Sequence, residues 1–184
     1  PPHPSAQQQL IEAGDFVPAQ NAYGGFVHAG ATMAYTTAYW ALARLRPSVI
    51  AFMGCDMVYP KQGDTHFYGT GTADPLRDDV TLRDLGAKSA RLALIAAAQG
   101  CACVNLSQDP SSLLLPRAKP DALRAVGPIV DLDRELYCAL RAQEDALGYV
   151  TPDGRYDVSG KGMDITRLDE IDLAWRELYR PDAR

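Results

Sequence analysis

The sequence predicts an α/β domain with a doubly wound, mostly parallel sheet of Rossmann-like type, and three observations carry that reading. A continuous apolar run of strand length, Ser48-Val-Ile-Ala-Phe-Met53, has the composition of a strand covered on both faces. Residues 82–98 then repeat Leu82, Leu85, Ser89, Leu92, Ile95 and Ala96 at helical spacing up to Gly100, which is placed as a helix-ending glycine. A second apolar strand, residues 101–106, follows directly. Strand, helix and strand in that order make a right-handed βαβ unit, from which parallel sheets are wound.

The remaining elements follow in chain order. Residues 5–13 read as a short helix with Ser5 as N-cap and Gly14 as its stop. Residues 15–30, rich in Gly, Pro, Asn and Gln, read as a loop, and residues 31–45 place Ala34, Tyr35, Ala38, Tyr39, Leu42 and Leu45 on one helical stripe that Pro47 ends. Prolines 110, 116 and 120 break residues 107–130. Leu132, Leu136, Leu140 and Leu147 mark a helix, Asp153-Gly154 a tight turn, and Ile165, Leu168, Ile171, Trp175 and Leu178 a last helix. A chain of 184 residues with 47% apolar composition supports one core. Residues 1–130 are therefore read as the α/β part, and residues 131–184 as a helical tail packed on the same domain.

Composition excludes some functions. A net charge of −5 removes the clustered Lys and Arg that nucleic acids or anionic membranes require, and no apolar run approaches the roughly 20 residues of a membrane span. Cys55, Cys101, Cys103 and Cys138 are not spaced as a secreted disulfide framework, which points to reduced thiols and a cytoplasmic location, with a homo-oligomer as a possible state. The start, Pro1-Pro2-His3-Pro4, has neither an initiator Met nor signal-peptide regions, so the chain is read as the C-terminal part of a larger fold.

The candidate site follows from topology. A helix preceding a parallel strand runs antiparallel to it, so the turn 27–31 and the loop 54–72 converge at the carboxyl edge of the sheet, where α/β folds bind ligands and helix N-termini favour phosphate. The loop Gly54-Cys-Asp-Met-Val-Tyr-Pro-Lys-Gln-Gly-Asp-Thr-His-Phe-Tyr-Gly-Thr-Gly-Thr72 has no periodic pattern, and loops of about twenty residues in small domains are usually functional or disordered. Val58, Tyr59 and Phe67 are expected to anchor it, leaving residues 60–64 as a hinged lid. His66 and His28 are the candidate proton-transfer groups. Asp56 could equally cap backbone amides, and either histidine could serve a structural hydrogen bond. Residues 69–74 lack the last glycine of the dinucleotide fingerprint, and residues 159–162 lack P-loop spacing. Cys101 and Cys103 share one face of a strand and read as core, so no metal ligands are assigned.

Residues 28–112 resemble bacterial sialyltransferases that build lipooligosaccharide, together with related uncharacterised domains that include motility accessory factors and archaeal pterin diphosphokinases. The matching elements are the turn His28-Ala-Gly-Ala-Thr32, the strand ending in Gly54-Cys-Asp56-Met-Val-Tyr59, the segment His66-Phe-Tyr-Gly69, and Asn105-Leu-Ser107. The resemblance implies a nucleotide pocket lined by Gly30, Ala31, Thr32, Gly54, Asp56, Tyr59, Tyr68, Gly69 and Thr70. It further implies transfer of a sugar from a nucleotide-sugar donor to a glycan or other acceptor hydroxyl, with His66 or His28 as base and no required cofactor. In the sialyltransferases the base histidine follows the glycine of the third element, where this chain has Thr70. Two other readings stay open. One is a diphosphokinase-like enzyme in which Asp56 and Asp64 hold Mg²⁺, and the other is a noncatalytic binding module of the same fold.

Overall fold

The computed structural model describes residues 13–58, 79–128, 131–156 and 162–179. Its elements are α1 (Ala13–Ala22), α2 (Gly25–Ala29), α3 (Met33–Arg44), β1 (Val49–Phe52), α4 (Leu85–Ala98), β2 (Ala102–Asn105), α5 (Arg134–Leu147) and α6 (Ile165–Leu178), with short 3₁₀ turns at Val80–Leu82 and Pro120–Ala125.

Four of the helices start on a side chain that accepts a backbone amide left unpaired by the first turn. Thr32 caps α3 through Tyr35 N, Asp84 caps α4 through Ala87 N, Asp133 caps α5 through Glu135 N and Leu136 N, and Asp164 caps α6 through Arg167 N. Gly100 after α4 and Gly148 after α5 take φ of 77° and 63°, the left-handed turn that ends a helix at little cost only in glycine.

The predicted doubly wound sheet does not form. The molecule is mostly helical, and β1 and β2 make a two-stranded parallel sheet with Val49 opposite Ala102 and Phe52 opposite Asn105. The βαβ crossover exists, but it is the whole sheet among the described residues. The apolar run 48–53 led to the wrong expectation because its composition fits a doubly covered strand, whereas Ala51 and Met53 are exposed and only Phe52 of β1 is buried. β2 is buried at all four positions.

What occupies the centre instead is α4. Every residue from Gly86 to Ala96 is buried, and a helix buried all round belongs in the middle of a bundle. Its Gly and Ala positions let α3, α6 and β2 approach closely, and Tyr35, Tyr39, Leu42, Leu92, Leu94, Ile95, Ile171 and Trp175 fill the space between. Burying Lys88 and Arg91 in such a helix requires partners, and these come from the last two helices. Lys88 Nζ lies 2.8 Å from Asp172 of α6, and Arg91 pairs with Glu144 of α5. α5 and α6 thus complete the charge balance of the core rather than merely cover it.

Two local expectations are also corrected. The loop expected over residues 15–30 is mostly helical, with α1 and α2 occupying most of it. Contacts outweigh the weak local propensity: Phe16 packs on Trp40 at 6.5 Å, and Gln20 Nε2 donates to Thr36 Oγ1 and Gly30 O. Val58, expected to anchor the loop, is 54% exposed, and the neighbour that turns inward is Met57 at φ 54°. Residues 59–72 of that loop and residues 5–12 of the helix predicted over 5–13 lie outside the described residues, and Gly14, expected to stop that helix, lies within α1.

Candidate ligand site at the carboxyl edge of the strands

Both strands run in the same direction, so their carboxyl ends lie side by side, and Asp56 follows one while Asn105 ends the other. Asn105 Nδ2 donates to Asp56 Oδ1 at 3.1 Å, and the Ser107 hydroxyl donates to Oδ2 at 2.7 Å. The Ser111 hydroxyl and Ser112 N both donate to the Asp56 carbonyl. Arg117 reaches within 3.8 Å of Oδ1, and its guanidinium donates to the carbonyls of Ser107 and Asp109. Burial opposes ionisation of Asp56, but the hydrogen bonds from Ser107, Asn105 and Ser111, with the Arg117 charge, outweigh it and hold the carboxyl below its usual range. Asp56 is therefore a carboxylate at neutral pH, and its side chain remains 18% exposed.

The N-terminus of α3 arrives at the same edge. Tyr35, in the first turn of α3, packs edge-on against Phe52, the last residue of β1, with ring centroids 6.4 Å apart. Its hydroxyl donates to Leu85 O at the start of α4. Gly30 takes φ 86°, and a Cβ there would lie 2.8 Å from the Tyr35 ring, so the turn before α3 needs glycine. Ala31 and Thr32 are half-buried, and the Thr32 hydroxyl is committed to its capping bond. Gly54, at φ 67°, is exposed with open space around it.

His28 sits elsewhere. It is 1% exposed, stacked on Tyr149 at 6.0 Å, and its Nδ1 lies 3.9 Å from Glu144. Neither ring nitrogen makes a hydrogen bond among the described residues. Burial pushes its pKa down to about 3; Glu144 opposes this, while Arg91, Lys88 and Arg141 reinforce it. That places His28 in the polar layer beneath α4, withdrawn from solvent. Tyr59, His66, Tyr68, Gly69 and Thr70, with Asp64, lie outside the described residues.

Ser111 and Arg117 were not singled out from the sequence, and Asn105 and Ser107 entered only through the resemblance. The Asn-Leu-Ser directly after an apolar strand is the available signal, because polar residues at a strand's carboxyl end face whatever the edge holds. Arg117 had none: it reaches the edge because Asn105 N donates to Pro116 O and Ala118 N donates to Asn105 O, laying 116–118 along β2. No helix among the described residues is long and apolar enough to cross a membrane. The chain matches no protein-family model, no curated protein and no solved structure.

Proposed function

We propose that the carboxyl edge of β1 and β2 holds a nucleotide sugar and that the chain transfers the sugar to an acceptor hydroxyl. The observation that carries this reading is the Asp56 carboxylate, fixed by donors from β2 and its following loop yet still open to solvent. A carboxylate offers about four acceptor positions, and Asn105 and Ser107 use one on each oxygen, which leaves capacity for sugar or ribose hydroxyls. The first-turn amides of α3 and the Arg117 guanidinium supply the complementary attraction for phosphate.

Inverting transfer needs an acceptor base and neutralisation of the leaving phosphate, with little else from the protein. Asp56 is too acidic for the base and serves as the anchor. His28 is too deeply buried to reach an acceptor. The base falls to His66, by its sequence position in the loop that continues from Asp56.

Titration calorimetry with CMP, UDP and GDP tests the reading. Heat is expected with one of them, with affinity about 10-fold weaker or more in Asp56→Ala, because a ligand hydroxyl loses a charged acceptor. Absence of heat with all three, or binding indifferent to Asp56→Ala, overturns it.

A further inference from the structure

Among the described residues, one side of β1 pairs with nothing. In the parallel sheet Ala102 N donates to Ser48 O and Leu106 N to Phe52 O, with Ile50 opposite Cys103. The even-numbered residues of β1 therefore turn their backbone groups towards β2, and Val49, Ala51 and Met53 turn theirs the other way. No backbone group of Val49 or Ala51 on that side has a partner among the described residues, and the Met53 carbonyl accepts the Cys55 thiol at 3.6 Å. The far side of β2 differs, because residues 116–118 lie along it through the bonds of Asn105.

An open strand side is a template for another strand, and folds that stay monomeric guard it with lysine, proline, a bulge or a covering segment. Val49-Ile-Ala-Phe52 has no lysine or proline, and its register with β2 runs without a bulge. Ala51 and Met53 are exposed, Met53 at 76%. A sheet of two strands is also marginal by itself.

The occupant that fits is a second copy of the chain. Residues opposite each other in an antiparallel pair exchange both backbone bonds only where each turns its groups towards the other. Pairing β1 with itself about Ala51 meets that condition along the whole strand: Ala51 faces Ala51 of the second copy, and Val49 faces Met53 on either side. Sliding the register by two residues loses one of these pairs, and in one direction it brings up Pro47, which has no N–H to give. Charge favours the same sense. Arg44 and Arg46 are exposed just before β1 and the Asp56 carboxylate, 18% exposed, follows it, so antiparallel pairing sets each cationic end beside the other copy's carboxylate end.

We propose that β1 is a homodimer interface in which two copies pair antiparallel about a two-fold axis through Ala51, joining their sheets into one. Such an interface uses the same surface on both copies and closes on itself, so assembly stops at the dimer.

Sedimentation of the full chain tests the proposal, with a dimer expected at about 100 µM. Ala51→Pro removes an N–H that does not serve β2 and should weaken association about 100-fold or more. Ala51→Glu sets two carboxylates against each other on the axis and should do the same, at an exposed position that tolerates the side chain if the proline variant fails to fold. Leu173→Lys, at an exposed apolar position on α6, should leave the dimer unchanged, and circular dichroism establishes that each variant is folded. In a chain carrying Cys55→Ser and Cys138→Ser, Ala51→Cys should cross-link into a disulfide dimer on mild oxidation, because hydrogen-bonded antiparallel partners set their Cα atoms about 5.5 Å apart, within disulfide reach. A monomer at about 100 µM, parental affinity in either Ala51 variant that folds, a dimer lost in Leu173→Lys, or no cross-link at position 51 each overturns the proposal.

Discussion

Arg91 of α4 sets its Nε 2.6 Å and its Nη2 2.7 Å from the two carboxylate oxygens of Glu144 of α5, and neither side chain is exposed. Trp175 Nε1 from α6 donates to the same carboxylate at 2.8 Å, Arg141 adds a further bond at 2.7 Å, and Arg91 donates to the Tyr39 hydroxyl of α3. Three helices thus meet on one ion pair of the central helix. Burial alone would raise the Glu144 pKa; the charge and hydrogen bonds of Arg91, with His28 and Arg141, instead bring it down to about 2.

A buried pair of this kind adds little over a well-packed apolar pair, but removing one partner strands the other. Glu144→Gln is expected to lower unfolding free energy by about 3–5 kcal/mol in urea denaturation, and Arg91→Met with Glu144→Leu to recover much of that loss. A Glu144→Gln chain within about 1 kcal/mol of the parent would mean that water reaches Arg91 and that the layer is not dry.

His28 makes stability depend on pH where Glu144 does not titrate in either state. Its folded pKa is about 3 against an ordinary 6.5, so between those values the unfolded chain binds the extra proton. Stability from this group is complete above pH 6.5 and is lost as pH falls towards 3. From about pH 7 to about pH 5 the loss should be about 2 kcal/mol, and His28→Phe, which keeps a ring against Tyr149, should flatten that slope. An unchanged slope in His28→Phe would assign the titration to another group. For Glu144 the sign is the same in a lower window: its contribution is present above pH 4.5 and disappears as pH falls towards about 2.

The apolar pattern of the sequence located α3, β1, α4, β2, α5 and α6, the helices through apolar residues at helical spacing and the strands through continuous apolar runs. Tyr35, Ala38, Tyr39 and Leu42 are buried as the stripe required, although Leu45 at its end is 58% exposed. Sheet size was not legible. Composition cannot distinguish a strand covered on both faces from one like β1, whose Ala51, like Met53 just after it, faces outward. The central place of α4 was not legible, because its segment carries Lys88, Ser89 and Arg91, and the partners that let the two cations be buried, Asp172 and Glu144, lie 84 and 53 residues away. At the candidate site Asp56 was readable from its place after a strand. The Asn105 and Ser111 bonds that hold it were not, because they depend on the loop after β2 folding back over the edge.

Gly30→Ala tests the turn before α3. The residue must hold φ 86° and accept a methyl group 2.8 Å from the Tyr35 ring, while its carbonyl accepts from Gln20. Backbone strain alone costs about 1–3 kcal/mol, and displacing Tyr35 also disturbs its contact with Phe52. Thermal melting should drop in both variants through the positive-φ penalty they share, and further in Gly30→Ala, since open space surrounds Gly54 while the Tyr35 ring blocks a Cβ at Gly30. Equal losses in the two variants would show that the Tyr35 contact is not what makes Gly30 necessary.

Asn105→Asp probes the carboxyl edge electrostatically. Asn105 Nδ2 lies 3.1 Å from Asp56 Oδ1, so the substitution removes a donor and sets a second carboxylate against the first. Ser107 and Arg117 remain to bind one negative charge, not two. One of the two acids must then take up a proton more readily in the folded chain than in the unfolded one, which is the behaviour of carboxylate pairs that share a site. A raised folded pKa means that the folded state binds more protons, so the penalty is largest at neutral pH and shrinks as pH falls through the raised value. The variant should be about 1–3 kcal/mol less stable than the parent near neutrality, with the difference between the two narrowing by about pH 5. Comparing variant with parent at each pH cancels the acid sensitivity of His28, which both share. A difference that stays constant with pH would show that the added carboxylate has swung out to solvent, and the close packing of Asp56 against the end of β2 would not survive that result.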